Sequence, residues 1–356
     1  MLRINITPHW ELGREADQSL DTAGLLALLA AIQDSGAIAQ AARSLGLSYR
    51  HAWGQMKRAE ALFGHPLLDA GRGRGSTLTP LAQKLIWADK RISARLSPLL
   101  ESLASELENE LDRTLPRQAR ALRIHASHGF AVAALVQQLD AARQPVELRY
   151  RNSFESVAAL ARGECDLAGF HVPIGEFEAA AAKHYRRWLR DDLHCLAHLA
   201  VRTQGLFAAP GNPLHVRSLD DLKRKDLRFV NRPEGSGTRM LTELMLAKHA
   251  ISTADVQGFE SAEFTHAAVA AFIASGMADV GIGVQTAAHR FGLHFIPLVR
   301  ERYFLALDRS AAEQAPMPRV LELLCSPAYR SAVAALVGYE AGETGRILSV
   351  QQAFGA

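Results

Sequence analysis

Two stretches of this chain hold residue types that can do chemistry together. The first is Gly235-Ser236-Gly237-Thr238-Arg239, directly ahead of a predicted helix from Met240 to His249. A helix N-terminus carries unpaired N–H groups and partial positive charge, so it holds anions. Gly235 and Gly237 let the backbone come close, Ser236 and Thr238 add hydroxyls, and Arg232 and Arg239 add charge. Similar donors fall where neighbouring predicted strands end: Ser127, then Asn152 and Ser153, then His171, with Tyr303 after a return strand. Ligands of open α/β sheets bind at the carboxyl ends of the strands, so these donors can converge on one small oxyanion. Plainer readings stay open: a Gly-Ser-Gly turn often only caps a helix, and His171 suits a hydrogen-bonded core position. Ser127 beside His128 looks like half of a nucleophile–base pair, but adjacent residues at a helix start do not face each other, and no third member is assignable.

The second stretch is basic. Between Arg43 and Arg95 ten Lys and Arg residues oppose three acids, whereas the whole chain of 356 residues carries a net charge of only +3. A basic block in a near-neutral chain is the footprint that nucleic acid attracts.

Enzyme signatures are weak. Gly281-Ile282-Gly283 lacks the third glycine of a dinucleotide fingerprint, the Gly235–Arg239 run lacks the Lys-Ser/Thr of a P-loop, and there is no HExxH. Cys165, Cys195 and Cys325 are too scattered for a zinc site or a disulfide framework. No catalytic residue, metal ligand or cofactor is therefore assigned. Hydrophobic residues make up 48% and charged residues 22%, a globular composition. Arg3, Glu11, Arg14, Glu15 and Asp17 precede any apolar run, unlike a signal peptide, and the stretch Ala23–Ile32 is far short of the ~20 residues of a membrane span. The expectation is a cytoplasmic protein with no membrane partner.

The elements that must position these groups can be read from periodicity. Asp21 caps a first helix with a Leu25, Leu28, Leu29, Ile32 stripe, ended by Gly36. A short helix from Ala37 to Leu45 ends at Gly46, and Ser48 caps a third helix ending at Gly64. Two helices joined by a short glycine-containing turn are a helix-turn-helix. The glycine-rich basic segment from His65 to Thr79 suits a two-stranded wing. A long leucine-seamed helix begins at Pro80, with Ser97-Pro98 expected to kink it or cap a second segment, and a linker follows at Leu115–Gln118. Beyond Arg120 short strands (Leu122–Ala126, Val146–Tyr150, Asp166–Phe170, Gly205–Ala209, Leu227–Val230, Val280–Val284, Phe295–Pro297) alternate with helices. That pattern predicts parallel sheets flanked by helices, in two lobes.

These residues also carry a family likeness. Ala41-Ala42-Arg43-Ser44-Leu45-Gly46-Leu47-Ser48-Tyr49-Arg50-His51-Ala52-Trp53, followed by Pro66-Leu67-Leu68 and Gly71-Arg72-Gly73-Arg74-Gly75-Ser76-Thr77-Leu78-Thr79, resembles the winged helix-turn-helix of the molybdate-responsive ModE regulators, relatives of the LysR-type regulators. The likeness covers roughly residues 20–110. The remainder is similar to periplasmic-binding-protein-like domains of the molybdate- and tungstate-binding type, over roughly residues 121–345. Phe229-Val230-Asn231-Arg232-Pro233-Glu234-Gly235-Ser236-Gly237-Thr238-Arg239 carries it most strongly, with Ala126-Ser127-His128, Ala208-Ala209-Pro210-Gly211-Asn212-Pro213 and Ser275-Gly276-Met277-Ala278-Asp279-Val280-Gly281-Ile282-Gly283. The chain departs from such relatives at Asn152-Ser153-Phe154-Glu155-Ser156, where they often carry a small glycine-rich loop.

The resemblance implies an α/β protein in which residues 1–79 form a winged helix-turn-helix, 80–112 a dimerisation helix, 113–120 a linker and 121–356 a two-lobed type 2 domain. Lobe one takes 121–200 and 303–356, and lobe two 201–302. The recognition helix enters the major groove with its N-terminal residues at the base edges. Ser48, Tyr49, Arg50, His51 and Gln55 are then candidates for contact there, with Arg50 first for guanine readout. Lys57 and Arg58 suit phosphates, Arg72 and Arg74 the wing contacts, and Trp53 the core. The reading is a homodimeric or homotetrameric transcription regulator that binds double-stranded operator DNA. It senses molybdate, tungstate or a small carboxylate such as formate, and controls genes of molybdenum or tungsten uptake, of the cofactor or of dependent enzymes such as formate dehydrogenase. The competing reading is an oxyanion store whose DNA binding is weak or architectural.

Overall fold

A computed structural model describes residues 3–13, 19–70, 76–113 and 121–354. The chain divides into two compact units, Thr7–Leu96 and the residues from Ser97 onward together with residues 3–6.

In the first unit, strands β1 (Glu11–Gly13) and β2 (Ser19–Asp21) pair antiparallel. Helix α1 (Thr22–Ser35) starts where the Asp21 carboxylate accepts the Ala23 N–H, and stops at Gly36 in the left-handed conformation. Helices α2 (Ile38–Ser44) and α3 (Tyr49–Phe63) follow, then the wing strands β3 (Leu68–Ala70) and β4 (Ser76–Leu78), joined through residues 71–75, outside the described residues. Leu25, Leu28, Leu29 and Ile32 of α1 pack on Ala41, Ala52, Met56, Ala59, Leu67 and Ile86. The apolar stripe read from the sequence is thus the core.

Helix α4 (Pro80–Arg113) runs on through Pro98 as one element, in place of an expected second capped segment. Beyond Pro98 its side chains take over the edge of the second unit's sheet. Tyr150 N–H donates to Ser102 Oγ at 3.0 Å, Leu148 N–H to Ser105 Oγ at 2.9 Å, and Asn109 Nδ2 to the Val146 carbonyl at 3.2 Å. An exposed strand edge is an aggregation liability, and this helix covers it.

The second unit holds β5 (Leu122–Ala126), α5 (Phe130–Ala141), β6 (Val146–Tyr150), α6 (Ser153–Ala161), β7 (Leu167–Pro173), α7 (Glu178–Tyr185), β8 (His194–Ala208), β9 (Phe229–Val230), α8 (Gly237–Lys248), α9 (His266–Ala274), β10 (Val280–Val284), α10 (Gln285–Arg290) and β11 (His294–Asp308). It ends with α11 (Met317–Cys325), α12 (Pro327–Ala334), β12 (Tyr339–Glu340), β13 (Ile347–Ser349) and α13 (Val350–Phe354). The sheet order is β6-β5-β7-β11-β8-β10-β9, with β12 and β13 added to β8. The parallel expectation holds for β5 with β6 and β7, and for β9 with β10. It fails at β8 and β11, which pair antiparallel with each other and with β10 and β7. These two 15-residue strands extend the short runs expected at Gly205 and Phe295 and carry one mixed sheet from lobe to lobe. Each lobe has its own core, one around Leu122, Ile124 and Leu167, another around Leu206, Phe229 and Ile282.

Candidate functional site

In the helix-turn-helix, the Ser48 hydroxyl accepts the His51 N–H at 3.2 Å and so sets the start of α3. Ala52, Met56 and Ala59 are buried, leaving the opposite face to solvent. Ser48, Arg50, His51, Gly54 and Arg58 line a shallow concavity on that face. Tyr49 and Trp53 are exposed and stack 6.2 Å apart, and Lys57 lies over the Trp53 ring at 4.9 Å while bonding Glu60. Trp53 is therefore not core: it is 41% exposed, one position round the helix from the buried Ala52. Gln55 is corrected too, since its buried Oε1 and its Nε2 pack towards Gly24 of α1 rather than outward. Arg72 and Arg74 lie outside the described residues. Glu60 Oε1 accepts the Leu67 N–H at 3.0 Å, tying α3 to the segment just ahead of β3.

The second unit contains a buried polar cluster assembled from residues inside β7, β8 and β11 and from the starts of α8 and α9. Ser127 Oγ lies 3.4 Å from His171 Nδ1, so the histidine that meets Ser127 is His171 and not its neighbour His128. His171 packs on the Tyr303 ring at 3.8 Å, and the Tyr303 hydroxyl donates to the Ser127 carbonyl at 3.3 Å. A strand irregularity between Tyr303 and Phe304 accompanies that placement, as bulges beside binding sites often do. Next comes Arg202, whose Nε donates to Glu301 at 2.5 Å and whose Nη2 is 3.4 Å from His266 Nε2. Gln204 Nε2 donates to Thr238 Oγ1 at 3.2 Å. Arg232 is buried and donates through Nη2 to the Phe264 carbonyl at 2.6 Å.

Among the described residues, several buried atoms of this cluster have no hydrogen-bond partner: Arg202 Nη1, Arg232 Nε, His171 Nε2 and Gln204 Oε1. Burial, reinforced by the like charge of Arg202 and only partly offset by Glu301, pushes the Arg232 guanidinium down to about 9. Burial, then Arg202 and Arg232, hold His171 well below the usual imidazole range, and burial with the same two arginines does so for His266. Both histidines are neutral at physiological pH, and positive charge is in excess.

Helix starts add to it. Gly129 precedes α5 without any side-chain cap, and a side chain there would begin 3.7 Å from Arg202 Nη1. Gly237 opens α8, and a side chain there would begin 3.4 Å from Ser153 Oγ at the start of α6. His266 opens α9. Amides and partial positive charge at such ends favour an anion.

Of the ligand candidates read from the sequence, Ser127, Ser153, His171, Arg232, Gly237, Thr238 and Tyr303 come together here. Ser236 caps α8 by accepting the Arg239 N–H, and Asn152 caps α6 beside Gly235. Arg239 is corrected: its guanidinium is occupied by Glu243, Glu260 and the Phe259 carbonyl. Phe154, the departure noted above, packs on Tyr185 and His184. Arg202, Glu301 and His266 were missed. Arg202 and Glu301 sit inside strands read as too short, and their available signal was opposite charges in otherwise apolar runs. Among the described residues no group of three or more His, Cys, Asp or Glu is placed to hold a metal. No single described helix is long and apolar enough to cross a membrane.

Residues 24–83 match the family of bacterial regulatory helix-turn-helix proteins of the lysR family, and residues 134–325 match the PBP superfamily domain. An uncharacterized protein of Bacillus subtilis (strain 168), YvgK, is 34% identical over 215 residues, covering 60% of this chain and 69% of that protein. The molybdenum-pterin-binding protein MopB of Rhodobacter capsulatus is 35% identical over 172 residues, covering 42% of this chain and 63% of that protein. Among solved structures, a variant of Corynebacterium glutamicum OxyR aligns with a TM-score of 0.42 at 16% identity, over 87% of this chain and 92% of that one. The chain belongs to the PBP superfamily-domain family, and its residues 24–83 are similar to the regulatory helix-turn-helix of the lysR family.

Proposed function

We propose that this regulator senses a small oxyanion in the Arg202–Arg232 cluster. The observation that carries the reading is Arg232: a buried guanidinium with a free Nε, beside a second arginine, while Glu301 is the carboxylate engaged by Arg202. An uncompensated buried charge is costly, and a bound anion removes the cost. Ser127, Ser153, His171, Thr238 and Tyr303 supply neutral donors around it. The likeness to MopB, whose name states molybdenum-pterin binding, favours molybdate or tungstate. A small carboxylate such as formate fits the same donors. The target genes then serve molybdenum or tungsten uptake, the cofactor or its enzymes.

DNA is bound by the exposed face of α3 in the cytoplasm. A second copy covers the exposed Leu99, Leu103, Leu107 and Leu111 of α4. A dimer sets two recognition helices about 34 Å apart, one turn of duplex. Anion binding is tested by thermal unfolding with molybdate, tungstate, sulfate, phosphate and formate. A ligand of the native state adds about 2.7 kcal/mol at a hundredfold excess over Kd. A shift with molybdate and tungstate alone supports a metal-oxyanion sensor, and one with formate alone supports a carboxylate sensor. No shift with any of the five sinks the small-anion reading.

A further inference from the structure

Gly54 stands in the middle of the recognition helix, and nothing among the described residues requires it to be glycine. Glycine is among the poorest helix formers. It is retained where φ must be positive or where another group comes too close for a side chain. Neither applies: Gly54 is not among the positive-φ residues, and a side chain there would meet nothing within 4 Å among the described residues. The other glycines within described helices differ. A side chain at Gly24 would begin 2.6 Å from Gln55 Nε2, and one at Gly237 would begin 3.4 Å from Ser153 Oγ.

The position of Gly54 suggests where the reason lies. It is two residues from the buried Ala52 and two from the buried Met56, about 200° round the helix from each. It is therefore on the side opposite the core. Arg50 and Arg58, four residues before and after it, share its face, and Ser48 and His51 complete the concavity of which Gly54 is part. Two guanidiniums with a bare stretch of backbone between them fit an anionic partner that comes into direct contact with the helix.

We propose that Gly54 is the point of closest approach between the recognition helix and the floor of the DNA major groove. A side chain there would hold the helix off the base edges that Arg50 reaches. This rests on the DNA-binding reading above. It makes Gly54 a positioning residue that acts on sequence readout through the depth of docking.

The test begins with the wild-type 356-residue chain and a pool of duplexes with a randomised core. The duplex it enriches then serves as the probe for Gly54→Ala and Gly54→Gln. Both variants should melt at or above the wild-type temperature. They should lose about tenfold to a hundredfold in affinity for the enriched duplex, the glutamine more, comparable to a mismatched base pair. Binding to an unselected duplex at low salt, which rests on phosphate contacts, should stay within about twofold. Full affinity of Gly54→Gln for the enriched duplex would overturn the proposal. So would a lowered melting temperature of Gly54→Ala, which would show that the fold itself needs the glycine. If the wild type enriches no duplex, sequence-specific DNA binding fails first and this proposal falls with it.

Discussion

Arg202 Nε and Glu301 Oε1 lie 2.5 Å apart across two paired strands, with each side chain only 1% exposed. A pair buried so completely is held by mutual compensation. Removing one partner leaves the other charge stranded, at a cost of about 3–5 kcal/mol. Glu301→Gln should therefore lower the unfolding free energy of the second unit, read by urea titration, by an amount of that order. An unchanged value would mean that Arg202 does not depend on Glu301 for its charge.

Arg232 makes the opposite case. It carries positive charge without a carboxylate partner of its own among the described residues, so Arg232→Gln removes a strained charge from the ligand-free protein. Its stability should be unchanged or higher, while the anion-induced stabilisation, about 2.7 kcal/mol at a hundredfold excess, disappears. Thermal unfolding with and without the anion reads both effects in one experiment. A variant that keeps the full anion shift would remove Arg232 from the site.

Acid should loosen the second unit. Burial, with Arg202 and Arg232, holds His171 well below its ordinary range; burial, with neighbouring arginines, brings His125 and His198 to about 4. Each is depressed in the folded chain relative to about 6.5 when unfolded. The unfolded chain then takes up protons that the folded one refuses. Stability is fully present above pH 6.5 and falls as pH drops towards 4, by roughly 1.4 kcal/mol per pH unit for each such histidine. Urea midpoints at pH 7.5, 6.5 and 5.5 measure this, and a flat profile would contradict it.

The contacts between α4 and β6 predict local protection. Ser102 and Ser105 accept the amides of Tyr150 and Leu148. Replacing both serines with alanine leaves those amides without acceptors, a loss of about 1–3 kcal/mol each if they stay buried. Amide hydrogen exchange should then speed up at Leu148 and Tyr150 while β5 keeps its protection. Unaltered exchange at both would mean that the helix does not secure this edge.

Much of this was legible in the chain. Asp21, Gly36, Ser48 and Gly64 bound α1 and α3 because caps and left-handed glycines are local signals. The strands Leu122–Ala126, Val146–Tyr150 and Val280–Val284 stand where short apolar runs between helices put them. The long strands were not legible, because Arg202 and Glu301 interrupt runs that only their mutual pairing makes stable in the interior. For the same reason the sequence pointed to Arg239, close to a glycine-rich turn, and overlooked Arg202. Trp53 misled because a tryptophan beside an alanine and a methionine looks like core until the helix phase is known.

The measurement that bears most directly on the account is the affinity of the 356-residue chain for its enriched duplex, with and without the anion that stabilises it. Coupling between two sites typically changes affinity about 5- to 150-fold. The account predicts a change in that range, in either direction, which Arg232→Gln abolishes while binding of the duplex itself persists. An anion that binds tightly and leaves DNA affinity untouched would contradict it, and would favour an oxyanion store over a sensor.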